Sequence, residues 1–292
     1  MHFPITDSHL HLWDDNYLNY PQLPSMPMLN RSYLLSDLME ATKSLHLEAC
    51  VFVQSGCEEN QSLAEVNWVT ELARRDARIH GIIAHASLES GNEIRPYLEI
   101  LKNNHLVKGV RRLLIFEKND FCLQEKFLEG LKLLAEFNLS FEICINADQL
   151  SSAIRMVEQC PKVKFVLEHL GNPNMAAKEW DSWQKQIGEL AAFPNVWCKI
   201  SRLITEQTQN WGSDDLKPYI YHAIKEFSYD RVMFGSDWPV VNIASSYAHW
   251  VHTLYDLLIH HHASEDELKK IFHGNAQRYY ELHAKELIDD MP

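Results

Sequence analysis

Glycine is scarce in this chain, with ten among 292 residues, and no Gly-x-Gly follows the first apolar run. The phosphate-cradling turn of an open dinucleotide-binding sheet is therefore missing. Positive charge is also short: 27 Lys and Arg stand against 40 Asp and Glu, a formal charge of −13. That balance excludes nucleic acid and an anionic membrane as main partners, while leaving room for a local basic pocket. No apolar run approaches the roughly 20 residues that cross a bilayer. The first residues, Met1 to Asp7, have no basic segment ahead of an apolar stretch, so no secretory signal is expected. Cys50, Cys57, Cys122, Cys144, Cys160 and Cys198 form no C-x-x-C pair. Reduced thiols and a cytoplasmic location are the expectation. No stretch rich in Pro, Gly or Ser marks a linker, so one domain over 1–292 is expected.

What the chain does contain is a strand-and-helix alternation. Eight short apolar runs read as strands: Ile5 to Leu10, Ala49 to Gln54, Ile79 to Ala86, Val107 to Leu113, Ser140 to Ile145, Lys164 to His169, Val196 to Ile200 and Arg231 to Gly235. They are rich in Val and Ile with little strict alternation, as parallel strands covered on both faces should be. Helical spacing fills the intervals, as in Leu63, Val66, Val69 and Leu72, or Phe127, Leu131 and Leu134. The pattern predicts an α/β fold, a (β/α)₈ TIM barrel. Residues 13–36 form a long first βα loop over the rim. It reads either as a lid or side wall of a pocket, or as a surface excursion packed by its own aromatics.

Three pieces fall at the C-terminal ends of these runs: Asp7-Ser8-His9-Leu10-His11, Glu168-His169 and Gly235-Ser236-Asp237-Trp238-Pro239. His9 and His11 are two apart on a strand and point to the same side. In a barrel covered by helices that side is the interior, where each ring nitrogen needs a partner. A lone core histidine, or an aspartate in a turn, is the common fate of each residue alone. Their joint position at strand ends singles them out, as a metal site or a metal-free acid–base cluster. By position at strand ends, Gln54, His85 and Asn146 are candidates to bind hydroxyl groups, and Trp13, Tyr20 and Trp238 offer flat apolar faces. His260-His261-His262 sits at a helix end and reads as surface, since consecutive residues fan round a helix. Asp289 and Asp290 read as a solvated tail.

These stretches, with Val107-Lys108-Gly109-Val110-Arg111, Cys198-Lys199-Ile200-Ser201 and Gly274-Asn275-Ala276-Gln277-Arg278-Tyr279-Tyr280, run nearly the length of the chain. The sequence resembles the amidohydrolase superfamily, in its amidohydrolase-2 branch, and most closely the sugar lactonases of the L-fuconolactonase and L-rhamnonolactonase type. The resemblance implies that His9, His11, His169 and Asp237 form the catalytic and metal-binding cluster. Asp237 would be the general base toward water, and the histidines would polarise the lactone carbonyl, directly or through a metal. It also implies that Arg111 or its neighbour Arg112 holds ring oxygens or a carboxylate.

Two departures from the family pattern matter. The fifth run, Glu142 to Asn146, lacks the further histidine of many metal-dependent members. Three histidines and an aspartate still offer four ligands to one Zn²⁺, and some lactonases of this branch work without a metal, so both routes stay open. Arg202 stands where many lactonases have a small residue; facing the pocket it would favour an acidic substrate group. The expected activity is hydrolysis of a sugar-acid lactone. The alternatives are a related enzyme acting on an aromatic or dicarboxylic substrate, a decarboxylase included, and a non-catalytic sugar-binding barrel. The expected partner is a small sugar lactone; the oligomeric state, a homo-oligomer included, stays open.

Overall fold

Eight strands join in one sheet whose order follows the chain: β1 (Ile5–Leu10), β2 (Leu47–Val53), β3 (Ile79–His85), β4 (Val107–Arg111), β5 (Ser140–Ile143), β6 (Lys164–Leu167), β7 (Val196–Ile200) and β8 (Val232–Phe234). Neighbours from β1 to β8 pair in parallel. The computed structural model describes residues 2–175, 180–203 and 212–282. Helices α1 (Leu35–Thr42), α2 (Ser62–Arg75), α3 (Arg95–Lys102), α4 (Glu125–Glu136), α5 (Leu150–Gln159), α6 (Trp180–Ala191), α7 (Ser213–Phe227) and α8 (Tyr247–His260) alternate with the strands. Two short helices follow, α9 (Glu265–Lys269) and α10 (Asn275–Tyr280). This is the TIM barrel that the apolar runs predict.

Both faces of the strands are buried, for different reasons. Cys50, Phe52, Phe141, Phe165 and Phe234 face the helices in the main core. Val51, Val53, Ile83, Val166 and Met233 form a second cluster with Ala276, Tyr279, Tyr280 and Leu282. The C-terminal helix α10 thus plugs one end of the barrel interior, leaving the other rim for the site. Strands buried on two sides cannot alternate apolar with polar, hence the continuous runs.

Some boundaries shift from those expected. β1 and β7 match, whereas β5 and β6 each end two residues early. His169 was expected to close the sixth strand; it lies in the tight turn after β6, with φ of 55°. Asp237 likewise lies beyond β8, with φ of 55°. In both places the backbone leaves the ladder so that the side chain turns toward the barrel axis. The first loop packs on its own aromatics at its base, and part of it borders a cavity. Trp13 and Tyr33 pair backbones at 3.1 and 2.8 Å and pinch its base, and their rings meet edge to face. Leu23, Met26 and Leu29 of the same loop line the cavity described below.

All six cysteines are free and all but Cys57 are buried. His261 stacks on Tyr221 at 4.0 Å, and the His260 ring bonds the Asp256 carbonyl of its own helix. Asp289 and Asp290 lie outside the described residues. Among the described residues no helix is long and apolar enough to cross a membrane.

Two features of the scaffold make measurable claims. A Cβ at Gly109 would sit 2.1 Å from Ser140 Oγ and 2.7 Å from Ser140 O, so β4 approaches β5 only because the residue is glycine. Gly109→Ala is expected to cost about 1–3 kcal/mol by overpacking, read as a lower urea midpoint; an unchanged midpoint contradicts the packing account. Glu65 of α2 is buried and accepts a hydrogen bond from Ser55 N at 3.1 Å. Burial pushes its carboxyl up to about 7, the Ser55 hydrogen bond opposing. A carboxyl raised on folding takes up a proton, so stability is lost as pH rises from the unfolded value toward 7. Glu65→Gln keeps the acceptor; it is expected to raise Tm at pH 8, with most of the gain gone by about pH 5. An equal gain at both pH values contradicts it.

Candidate active site

The site starts from a slip in register. Asp7 pairs with Cys50 and Leu10 with Phe52, so Ser8 and His9 together oppose the single residue Val51. Such a bulge re-aims side chains. Strict alternation would put Asp7 on the same side as His9; the bulge leaves Asp7 facing the helices and turns His9 and His11 into the barrel. Asp7 instead braces the site. Its Oδ1 accepts from the His9 and Ser236 backbone N–H groups at 3.0 and 2.9 Å.

The segment after β8 is stitched to the same strand. Asp237 N donates to His9 O at 2.9 Å, and His11 N donates to Trp238 O at 2.8 Å. A Cβ at Gly235 would stand 2.8 Å from His9 Cβ, so glycine alone permits this approach. The Asp237 carboxylate is thereby set against both rings. Its Oδ1 lies 3.4 Å from His9 Nε2 and 3.2 Å from His11 Nε2, and the two nitrogens are 3.1 Å apart.

Hydrogen bonding fixes one tautomer. His11 Nδ1 is 2.8 Å from Val53 O. A carbonyl only accepts, so Nδ1 bears a hydrogen, and in the neutral ring Nε2 presents a lone pair to Asp237 Oδ1. Two acceptors at that distance repel unless a proton or a cation lies between them. Ligands bound tetrahedrally at 2.0–2.1 Å sit about 3.3 Å apart, so this trio also has the spacing of a divalent metal's ligands. Burial, then Lys199, lowers the His9 imidazole well below its ordinary pKa.

The His169 ring lies 4.6 Å from that of His9, and its Nδ1 is 2.7 Å from Ser201 Oγ. Burial lowers its pKa strongly against the pull of Glu168. Among the described residues, donor atoms within 4.8 Å of one another form two sets, His9–His11–Asp237 and His9–Glu168–His169. The four ligands expected from the sequence are thus divided, with His9 shared. In the second set Glu168 already has cations: Arg111 Nη1 at 3.0 Å and Lys199 Nζ at 3.9 Å. Burial raises its carboxyl, but Arg111 and Lys199 outweigh burial and hold it at about 2. The first set is therefore the better candidate to hold a divalent ion.

His11, His169 and Asp237 open on a cavity of about 170 Å³ together with Arg111, Arg202 and Trp13. Leu113, Ile115, Phe116 and Val240 add apolar lining. Of the adjacent arginines, Arg111 is the inward one; it bonds Glu168 and the Gln54 carbonyl. Arg112 points away and pairs with Glu89 and Glu117. Arg202 Nε is 4.0 Å from Asp237 Oδ2. The other positional candidates do not line this cavity. The Gln54 side chain accepts from Gly56 N, His85 meets Ser87 Oγ, and Asn146 is exposed and bonds Ile115 O. Tyr20 is buried within the loop beside Trp13, and Trp238 is buried against Tyr33.

Glu168, Lys199 and Glu142 had no role assigned from the sequence, yet all three are fully buried inside the barrel. Their signal was present: one charged residue inside each apolar strand run, or at its end, which is costly unless paired.

The amidohydrolase family matches residues 6–282 of this chain. An L-fucono-1,5-lactonase of Burkholderia multivorans is 28% identical over 289 residues, 94% of this chain and 95% of the relative. A 4-sulfomuconolactone hydrolase of Rhizobium radiobacter is 24% identical over 237 residues, 80% of this chain and 75% of the relative. The crystal structure of an amidohydrolase from Burkholderia multivorans with bound zinc superposes with a TM-score of 0.86 at 26% identity, covering 96% of this chain and all of that one. With nearly its whole described length matched and the barrel shared, this chain belongs to the amidohydrolase family.

Proposed function

We propose that this protein hydrolyses the lactone of a sugar acid, with Asp237 as the general base. The observation that supports it is the Asp237 carboxylate at the cavity floor. Its Oδ1 faces the rings of His9 and His11, while the buried Oδ2 has no hydrogen-bond partner among the described residues. That oxygen is placed to take a proton from water. Relatives named as lactonases support ring opening of a cyclic ester in general.

The step follows from these groups. Water gives a proton to Asp237 Oδ2 as its oxygen bonds to the lactone carbonyl carbon. Negative charge develops on the carbonyl oxygen, and Arg111, Arg202 and the His169 ring lie around the same cavity to stabilise it. The ring C–O bond then breaks, and Asp237 returns the proton to the departing ring oxygen, leaving a hydroxy acid. Trp13 supplies a flat face for the ring. His9, His11 and Asp237 would hold one divalent ion such as zinc, which supplies Lewis-acid polarisation of the carbonyl when bound.

Asp237→Asn should lower kcat by about 10²–10⁴-fold, the usual worth of a positioned base, with the circular dichroism spectrum unchanged. Retained turnover removes Asp237 from this role. A panel of five- and six-membered sugar lactones set against aromatic carboxylic acids tests the substrate class; turnover of lactones is expected, and silence on all of them refutes the proposal.

A further inference from the structure

Lys199 and Glu142 take no part in the chemistry above, yet both have zero exposure inside the barrel. Lys199 Nζ lies 2.8 Å from Glu142 Oε2, 3.9 Å from Glu168 Oε1 and 3.5 Å from His9 Nδ1. Glu142 is gripped from the opposite side, where Tyr280 of the α10 plug donates its hydroxyl to Oε1 at 2.6 Å. The ammonium therefore has a fixed seat beneath the His9 ring, braced through Glu142 on the C-terminal helix.

His9 Nδ1 thus meets two groups of opposite character. A lysine ammonium only donates, and an ionised carboxylate only accepts. Glu168 Oε1 is 3.3 Å from Nδ1 as a close ion-pair contact, whereas the Lys199 contact has the geometry of a hydrogen bond. The other ring nitrogen, Nε2, faces the lone pair of His11 Nε2 and Asp237 Oδ1.

We propose that Lys199 is a positioning residue that selects the tautomer of His9. In the metal-free protein it donates to Nδ1, which places the ring hydrogen on Nε2, between His9 and the two acceptors of His11 and Asp237. A divalent ion needs a bare Nε2; the ring hydrogen then resides on Nδ1 and Glu168 accepts it. No net proton is gained or lost by the ring. Lys199 opposes metal loading and Glu168 supports it, so this pair sets how readily the site changes from a proton-bridged cluster to a metal centre. The inference rests on His9, His11 and Asp237 being the reacting cluster, but its test does not read turnover.

The test is a long-range ¹H–¹⁵N spectrum of histidine-labelled, metal-stripped protein, followed through a Zn²⁺ titration. Metal-free wild type should show His9 with its hydrogen on Nε2, and zinc should move it to Nδ1. In the Lys199→Met/Glu142→Gln double variant, which removes the buried pair while leaving Tyr280 an acceptor, His9 should carry the hydrogen on Nδ1 without metal. Zn²⁺, measured by competition with a chromophoric chelator, should bind at least about tenfold more tightly, within the range by which groups behind metal ligands alter affinity. A lysine needed only for packing would lower Tm and leave tautomer and affinity unchanged, which overturns the proposal. If the double variant does not fold, wild type still decides: a metal-free His9 already protonated on Nδ1 overturns it. Failure to hydrolyse lactones would refute the proposed function and leave this result standing.

Discussion

The seam between β1 and the segment after β8 is the constraint on which the site depends. A barrel of eight strands must close its first strand on its last, and here closure uses few bonds. Asp237 N to His9 O and His11 N to Trp238 O make the ladder, and the Asp7 carboxylate spans His9 N and Ser236 N. The same bonds that close the barrel put the Asp237 carboxylate on the two β1 imidazoles. Gly235 and the Ser8–His9 bulge are the local conditions for it, one by leaving space and the other by turning His9 inward. Closure of the barrel and assembly of the candidate site are one event.

Behind that seam lies a column of buried charge, comprising Arg111, Glu168, Lys199 and Glu142. Each ion taken from water into a low-dielectric interior costs several kcal/mol unless its partners are well placed. The column meets that condition by alternating sign, and by using the Tyr280 hydroxyl at its lower end. Its upper end keeps Glu168 ionised beside His9 and His169. The charges that the fold must neutralise therefore also bear on the imidazoles of His9 and His169, which burial above all holds below their ordinary pKa.

Much of this was legible in the sequence, and the rest was hidden for identifiable reasons. Eight apolar runs gave the barrel because strands covered on two faces have no polar alternation. His9, His11 and Asp237 stood out because polar groups cluster at strand ends. Alternation cannot show a bulge, so nothing announced that Asp7 would face the helices. Neither could it show that His169 and Asp237 adopt left-handed backbone beyond their strands. Parity did not choose between Arg111 and Arg112; the register of β4 against β5 does, pairing Arg111 with Glu142. Gln54, His85 and Asn146 were placed by strand end alone, and the backbone turns just there. Lys199 was the overlooked signal, a full charge between Cys198 and Ile200.

The proposed ring opening is an attack of water on the carbonyl carbon, at a cavity lined by both polar and apolar side chains. Hydrolysis of a turned-over lactone in H₂¹⁸O measures that most directly. Mass spectrometry of the product should place the label in the new carboxylate and none on the released hydroxyl. Label on the hydroxyl oxygen would mean that the other C–O bond breaks, and would contradict the role given to the His9, His11 and Asp237 cluster.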